Sequence, residues 1–234
     1  MKLLSLHLCL LLFFALKVSA ASQPFAVGKA YNLDETDALL YSEAYYQVSE
    51  DKVRVEYRSA SEDLIAVKTL DYSRSKISPS FTLRYENRDY GLQARVEEQF
   101  VTLTREENGD SKSKTLSPAD NQVVDAGFVG FILDQWNALS NGEAVSFAFA
   151  FVSDLKNVGL SAQKVEPERT PFGEPSEDRL TLKMQLDNGF LAMFIDPIYL
   201  EFSPQKQLMT FAGRSNITDS EGESMDVLIR YQYP

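Results

Sequence analysis

The residue types that most often carry catalysis are scarce in this 234-residue sequence. Its only histidine is His7 and its only cysteine is Cys9, and both lie in an N-terminal segment that is typical of an export signal. Without that segment the chain has no thiolate nucleophile and no serine–histidine–aspartate triad. It also has no histidine or cysteine to bind zinc, haem or an iron–sulfur cluster. We therefore predict no catalytic residue of these kinds, no metal site and no cofactor.

Carboxylates are the remaining candidates for acid–base chemistry, and two of them lie among apolar residues. Asp134 and Asp187 would act as general acids only if burial raised the pKa of the carboxyl group. This leaves open a carboxylate-dependent hydrolase that acts on cell-wall sugars, for which two carboxyl groups across a cleft suffice. We favour the simpler interpretation, in which Asp134 faces solvent from a helix and Asp187 lies in a turn.

Other short clusters of reactive residue types are better explained as surface loops. Ser73–Lys76 and Ser111–Lys114 bring serine and lysine together, but neither segment precedes a predicted helix, as the reactive serine of acyl-transfer families does. The acidic segments Asp34–Asp37 and Asp219–Glu223 contain oxygen ligands without the spacing of an EF-hand loop. No phosphate-binding glycine loop occurs. We expect all of these segments to be solvated.

The first twenty residues have the three parts of a secretory signal in order. Lys2 supplies the positive charge, Leu3–Leu16 is an apolar stretch, and Val18–Ala20 ends with small residues at the cleavage positions. We predict cleavage after Ala20, which leaves a single β-rich domain over 21–234. The lack of cysteine favours an exported protein of a bacterial periplasm, with secretion as the alternative. No later run has the roughly 18 apolar residues of a transmembrane span.

The charge of the chain argues against a nucleic-acid partner. The formal net charge is −11, and loss of Lys2 and Lys17 with the signal would make it more negative still. Such a protein repels nucleic acid and anionic lipid surfaces at long range.

Alternation of apolar and polar residues dominates the rest of the sequence and predicts strands. The clear runs are 53–58, 81–86, 90–96, 180–186, 198–202 and 227–233, and the weaker ones are 38–48, 64–72, 99–105 and 207–213. One apolar and one polar face is typical of antiparallel strands that cover a core on one side. Short turns, of which Asn108-Gly109 is the clearest, predict an up-and-down meander. The expected fold class is mainly β, a curved antiparallel meander sheet or half-barrel packed on one central helix at about 126–140.

That helix is predicted from the only segment with helical periodicity. Asp125 is a plausible N-cap and Gly142 a plausible C-terminal stop, while Gly127 and Gly130 would allow close approach to a sheet. The strand at 145–151 has alternating phenylalanine and small residues and is expected to lie under the helix. Trp136, the only tryptophan, is expected to be buried against the sheet.

Six aromatic residues of this region are candidates for an apolar ligand site. They are Phe128, Phe131, Trp136, Phe147, Phe149 and Phe151. Curved sheets closed around a helix commonly hold apolar ligands, although the same residues could form a plain packed core. The predicted partner is a lipid or another apolar ligand, or an envelope protein. A purely structural interaction protein remains the third hypothesis.

The segment 125–142 and the aromatic strand that ends at Phe151 resemble the middle of an uncharacterised group of exported bacterial β-rich proteins. The resemblance extends to 70–75 upstream and to 198–200 and 211–217 downstream. The layout of strands, helix and strands is also similar to the DUF3108-like domain, and through it to the half-barrels of envelope lipoprotein carriers. The resemblance implies a fold and a compartment, and it implies no activity and no functional residue.

Overall fold

A computed structural model describes residues 23–35, 37–117, 119–166, 170–172, 178–187 and 196–234. The predicted signal segment, most of the loop 166–178 and the apolar turn 190–195 lie outside these ranges. The strands are β1 (Ala26–Asn32), β2 (Leu39–Ser49), β3 (Lys52–Ser59), β4 (Leu64–Asp71), β5 (Ser80–Tyr85), β6 (Tyr90–Val96), β7 (Val101–Glu107), β8 (Asp110–Leu116), β9 (Gln122–Val124), β10 (Val145–Phe151), β11 (Lys156–Lys164), β12 (Leu180–Leu186), β13 (Ile198–Phe202), β14 (Leu208–Thr218) and β15 (Ser224–Gln232). Two helices, α1 (Gly127–Asp134) and α2 (Trp136–Ser140), lie between β9 and β10.

The fifteen strands of the described residues belong to one sheet, which confirms the predicted meander. Its order is β8-β7-β6-β5-β4-β3-β2-β1-β15-β14-β13-β12-β11-β10-β9. Neighbours are antiparallel except for β9 and β10, which are parallel because the two helices connect them. The chain thus forms two meanders, and pairing of β1 with β15 joins them in the middle of the sheet.

The sheet is open but strongly curved, because side chains from distant strands meet. Arg105 of β7 donates to the carbonyl oxygen of Ser153, just after β10, at 3.0 Å. Tyr41 of β2 and Ser215 of β14 share a hydrogen bond of 2.8 Å. Within the described ranges, β8 and β9 each pair with a strand on one side only.

The turn between β7 and β8 confirms the hairpin predicted from Asn108-Gly109. Asn108 has a φ of 52° and Gly109 a φ of 83°. Both values lie in the left-handed region that a tight two-residue hairpin requires, and asparagine and glycine reach this region at the lowest cost.

The single helix predicted at about 126–140 is corrected to two short ones. The chain leaves helical geometry at Gln135, which is both the C-cap of α1 and the N-cap of α2. Gly142, with a φ of 87°, donates its amide to the carbonyl of Leu139 and ends α2 as expected. The predicted N-cap at Asp125 is wrong, because Ala126 holds that position and no side chain caps the helix.

Apolar side chains form two clusters of buried residues. The first core lies on the inward face of β2 to β7 and includes the fully buried Tyr41, Tyr57 and Leu83. The second core joins α1 and α2 to β10 through β14. Strand β10 contributes to both, because Phe147 belongs to the second and Ala150 to the first. No helix within the described ranges combines the length and apolar character that crossing a membrane requires.

Trp136 is half-buried rather than fully buried, which corrects the sequence prediction. Its ring meets Phe202 edge-on, with centroids 5.9 Å apart, and the ammonium of Lys206 lies 5.1 Å from the ring. Part of the indole is therefore open to solvent, and a positive charge lies near the ring.

We expect Trp136→Ala to lower the free energy of unfolding by about 2 kcal/mol, below the ~3–5 kcal/mol of a fully buried aromatic residue. Iodide should quench the tryptophan fluorescence of the folded protein in part, because Lys206 attracts the anion to the exposed edge. Urea denaturation and an iodide titration measure the two effects. Quenching by iodide that is as weak as that of a fully enclosed indole would contradict the half-buried placement.

Candidate functional site

Two buried ionisable side chains, Glu43 and Lys68, lie against the first core with the largely buried Asp125 and form what we call the buried ionic cluster. Lys68 is 2% exposed and Glu43 is 4% exposed. The ammonium of Lys68 lies 2.8 Å from both carboxylate oxygens of Asp125. Charged groups are rarely buried unless they are paired, so this cluster is the most unusual feature of the interior.

Strand alternation places Lys68 and Glu43 inside the curved sheet. Lys68 lies between the inward-facing Ala66 and Leu70 on β4, and its ammonium lies 5.7 Å from the ring centre of Tyr57 and 5.5 Å from that of Phe81. Attraction between the cation and the aromatic faces adds to the ion pair, because the site is largely desolvated.

Asp125 reaches the cluster through an unusual backbone conformation. It directly follows β9 and has a φ of 46°, in the left-handed region that aspartate tolerates better than most residues. One carboxylate oxygen also accepts the amide of Ala126 at 2.8 Å. The residue expected to cap the helix therefore binds a buried lysine of a distant strand instead.

Glu43 is held by two tyrosines from the strands on either side of β1. Tyr45 and Tyr231 donate their hydroxyls to the same oxygen of Glu43, at 2.9 and 2.6 Å. Gly28 lies between them on β1, and a Cβ there would come within 2.9 Å of both Glu43 and Tyr231. The absence of a side chain at this one position makes room for the hydrogen bonds.

Burial controls the ionisation of Glu43 and of the two tyrosines that bind it. It raises the pKa of Glu43, and the hydrogen bonds from Tyr231 and Tyr45 and the charge of Lys68 offset only part of the increase. Burial and the neighbouring Glu43 raise the pKa of both tyrosine hydroxyls well above the ordinary value. The tyrosines therefore remain donors at neutral pH, and Glu43 keeps its proton to a higher pH than an ordinary glutamate does.

We expect Glu43→Gln to stabilise the protein progressively as the pH rises. Between 4.5, the ordinary value, and the raised pKa, the folded protein retains a proton on Glu43 that the unfolded chain has released. The free energy of unfolding of the native protein therefore falls as pH rises through this interval, by about 1.4 kcal/mol per pH unit. Glutamine can accept from both tyrosines and carries no such penalty.

Denaturation at a series of pH values, from about 4 to 8, measures the difference between the two proteins. It should grow with pH and become constant above the raised pKa. Glu98→Gln, at an exposed position, is the control for loss of a negative charge. A difference that does not change with pH would show that Glu43 ionises as it does in the unfolded chain.

The cluster has the groups for proton transfer but lies outside the two clefts described at the surface. Neither of the two best-formed surface clefts is lined by Glu43, Lys68 or Asp125. The arrangement is therefore better suited to fixing the interior than to meeting a substrate. A buried pair of this kind selects one arrangement of the strands, since any other arrangement would leave a charge without a partner.

The six aromatic residues predicted to line a ligand site divide between core and surface. Phe131 and Phe147 are 2% and 3% exposed, with ring centres 4.7 Å apart in the second core. Phe128, Trp136 and Phe149 are half-buried and pack against the same core. Phe151 is 41% exposed and contacts Phe149, with ring centres 6.3 Å apart. The structure thus places a packed pair beneath the helices and a more open pair on β10.

The two carboxylates singled out in the sequence lie at the surface. Asp134 is the exposed last residue of α1, and Asp187 is exposed just after β12, where it accepts a hydrogen bond from Ser146 at 3.2 Å. This agrees with the simpler interpretation of both residues. The acidic segment Asp219–Glu223 is a turn, in which Asp219 accepts the amides of Glu221 and Glu223.

Comparison with solved structures supports the fold. The chain is similar to a beta-barrel-like protein of domain of unknown function DUF1849 from Brucella abortus, with a TM-score of 0.51 and 11% sequence identity. The match covers 91% of this chain and 99% of the other. At such low identity the likeness concerns the fold alone. No protein-family model and no curated protein matches the sequence, so the similarity to DUF3108-like domains stays a prediction.

Proposed function

We propose that this chain is an exported, non-enzymatic envelope protein that binds an apolar group, either a lipid-like ligand or an apolar segment of a partner protein. The observation that carries the proposal is an apolar strip on the β10–β11 hairpin, formed by Phe149, Phe151 and Val158. The signal-like residues 1–20 support export, and the lack of cysteine and histidine after them supports a binding role rather than catalysis by those residues.

The apolar strip continues the face that the helices cover. Directly opposed residues of an antiparallel pair share a face, and Phe147 pairs with Leu160, Phe149 with Val158, and Phe151 with Lys156. Phe147 is buried under α1, whereas Phe149 and Val158 are half-buried and Phe151 is exposed. Burial thus decreases along one face, and the aromatic side chains beyond the helices are available to a ligand.

The position of the strip favours binding on the surface over binding inside the curved sheet. Large side chains fill the first core, and the buried ionic cluster occupies part of the same space. An acyl chain in that space would have to displace paired charges, which is costly. On the apolar strip, an acyl chain would cover the exposed side of aromatic residues whose other side packs against the second core.

A fluorescent fatty acid whose emission rises in apolar surroundings tests the ligand form of the proposal. We expect saturable binding to the purified mature protein and a clear loss of affinity in Phe151→Ser. Phe25→Ser is the matched control, because Phe25 is 43% exposed and lies beside β1, far from β10 in strand order. Equal binding by the native protein and Phe151→Ser would contradict the proposal.

Photo-crosslinking distinguishes the partner form. A benzophenone amino acid at position 151 should give a discrete protein adduct in intact cells if a protein covers the strip, and the same probe at position 25 should not. Absence of both fatty-acid binding and a position-specific adduct would overturn the assignment of the strip. The intact mass of the exported protein checks cleavage after Ala20 independently.

A further inference from the structure

A cleft that contains two arginines opens where the β5–β6 and β7–β8 turns meet the β14–β15 turn. We call it the Arg88 cleft; it has a volume of about 220 Å³ and is lined by Arg88, Tyr90, Arg105, Glu107, Thr218 and Gly222. Its strands belong to the two different meanders, so the curvature of the sheet creates the cleft. No residue of the buried ionic cluster or of the apolar strip takes part in it.

Arg88 is held rigidly at this position by its neighbours. Its guanidinium carbon lies 3.8 Å from the ring centre of Tyr85 and 5.1 Å from that of Tyr90. One terminal nitrogen donates to the hydroxyl of Thr218, whose amide in turn donates to Tyr85 at 2.9 Å. Stacking on two aromatic rings and one hydrogen bond fix the plane of the guanidinium.

The remaining donors of Arg88 have no acceptor in the part of the chain that the structure describes. Its Nε is buried without a hydrogen-bond partner, and no described carboxylate forms an ion pair with it. The other terminal nitrogen lies beside Gly222, where a Cβ would come within 3.2 Å of it. Arginine donors that are fixed but unsatisfied are costly unless water or an anion accepts from them.

Arg105 provides a second positive charge across the cleft. It donates one terminal nitrogen to the carbonyl of Ser153, and its Nε lies 3.8 Å from Glu107. The six lining residues carry one net positive charge, and the β14–β15 turn that carries Gly222 also contains Asp219, Glu221 and Glu223. Attraction of an anion therefore depends on direct contact with the two guanidinium groups, and the nearby carboxylates oppose it.

We propose that the Arg88 cleft binds a single oxyanion group, a phosphate or a carboxylate, with Arg88 as its main ligand and Arg105 as the second. A planar guanidinium presents paired donors that match the oxygens of both groups. The rings of Tyr85 and Tyr90 keep the donors in place, so binding orders few additional side chains. Glu107 opposes the anion and limits the affinity.

A nuclear magnetic resonance titration of the full exported protein with inorganic phosphate, and separately with acetate, tests this site. Sodium chloride at matched ionic strength is the reference. We expect the amide signals of Thr218 and Gly222 to shift in a saturable way for at least one of the two anions, with a Kd of about 1 mM, typical of a few charge-assisted hydrogen bonds at an open site. The anion that binds more tightly identifies the natural group as a phosphate or a carboxylate.

Three substitutions separate specific binding from general attraction. Arg88→Gln should weaken binding roughly tenfold or more, since it removes a charged donor, and Arg105→Gln should weaken it less. Glu107→Gln should strengthen binding severalfold. Arg95→Gln is the matched control, because Arg95 is an exposed arginine of β6 that pairs with Glu97 at 3.1 Å, outside the cleft.

Arg105→Gln and Glu107→Gln keep the test decisive if Arg88→Gln fails to fold. The site would be supported by saturable binding whose affinity changes in the cleft variants and stays the same in Arg95→Gln. Two results would overturn it: no response of Thr218 and Gly222 to either anion, or equal affinities in the native protein and in all the cleft variants.

Discussion

Replacing Lys68 with alanine is expected to lower the free energy of unfolding by about 3–5 kcal/mol, the usual cost of breaking a buried ion pair from one side. The substitution leaves Asp125, a buried carboxylate at a positive φ, with only the amide of Ala126 as a hydrogen-bond donor among the described residues. It also removes the cation from between the rings of Tyr57 and Phe81. Urea denaturation at neutral pH measures the loss.

An exposed ion pair of the same residue types is the control. Lys52 and Asp71 lie 3.3 Å apart, with both side chains more than one-third exposed, and Lys52→Ala should change stability by less than about 1 kcal/mol. The double variant Lys68→Met with Asp125→Asn should recover much of the loss, because neither residue is then charged. A cost of Lys68→Ala no larger than that of Lys52→Ala would show that the cluster is open to water.

The large expected effect follows from where the Lys68–Asp125 pair lies in the sheet. Lys68 is on β4, whereas Asp125 directly follows β9, the last strand in the sheet order. The same region is fixed by two further contacts, from the amide of Val124 to the carbonyl of Ile77 at 3.1 Å and from the hydroxyl of Ser78 to the carbonyl of Gln122. The ion pair therefore helps to hold β9, at one end of the sheet order, against the inward face of β4.

Alternation predicted most of the strands whose two faces differ. Val53, Val55 and Tyr57 of β3 are buried while their neighbours are not, and the sequence shows this pattern directly. Strand β8 was missed because it lies at an edge and is exposed along almost its whole length, so it has no apolar face to detect. Strand β1 was missed because only alanine and glycine lie on its buried face, and β11 was missed although Val158 and Leu160 alternate with polar or small residues.

The buried ionic cluster could be only half predicted. Lys68 interrupts an inward-facing apolar series between Ala66 and Leu70, and Glu43 does so between Tyr41 and Tyr45, so alternation alone marks both positions as unusual. Apart from Tyr45, the partners come from the end of β9 and from β15, and no local pattern links residues so far apart in the chain. The third member, Asp125, was assigned to a helix cap because its local sequence is equally compatible with that role.

Gly127→Ala is expected to destabilise the protein by about 3 kcal/mol or more, at the upper end of the cost of overpacking. A Cβ at this position would overlap the carbonyl oxygen of Ile77 and lie 2.5 Å from its carbon and 2.8 Å from Pro79. Ile77 cannot move away easily, because its carbonyl accepts the amide of Val124. The sequence predicted close approach of this glycine to the sheet, whereas the element that approaches is the loop between β4 and β5.

Helix propensity alone predicts the opposite effect of Gly127→Ala on stability, so the sign of the measured change distinguishes propensity from packing. Alanine stabilises a helix by about 1 kcal/mol relative to glycine, so a sequence-based expectation would be a more stable α1.

Gly91→Ala is the matched control: its Cβ would come within 2.7 Å of Arg84, but the atom it meets is the exposed end of a flexible side chain. Arg84 can rotate away, so Gly91→Ala should cost much less. If thermal unfolding shows that Gly127→Ala is as stable as the native protein, the β4–β5 loop does not pack against the start of α1, and the placement of both helices would have to be revised.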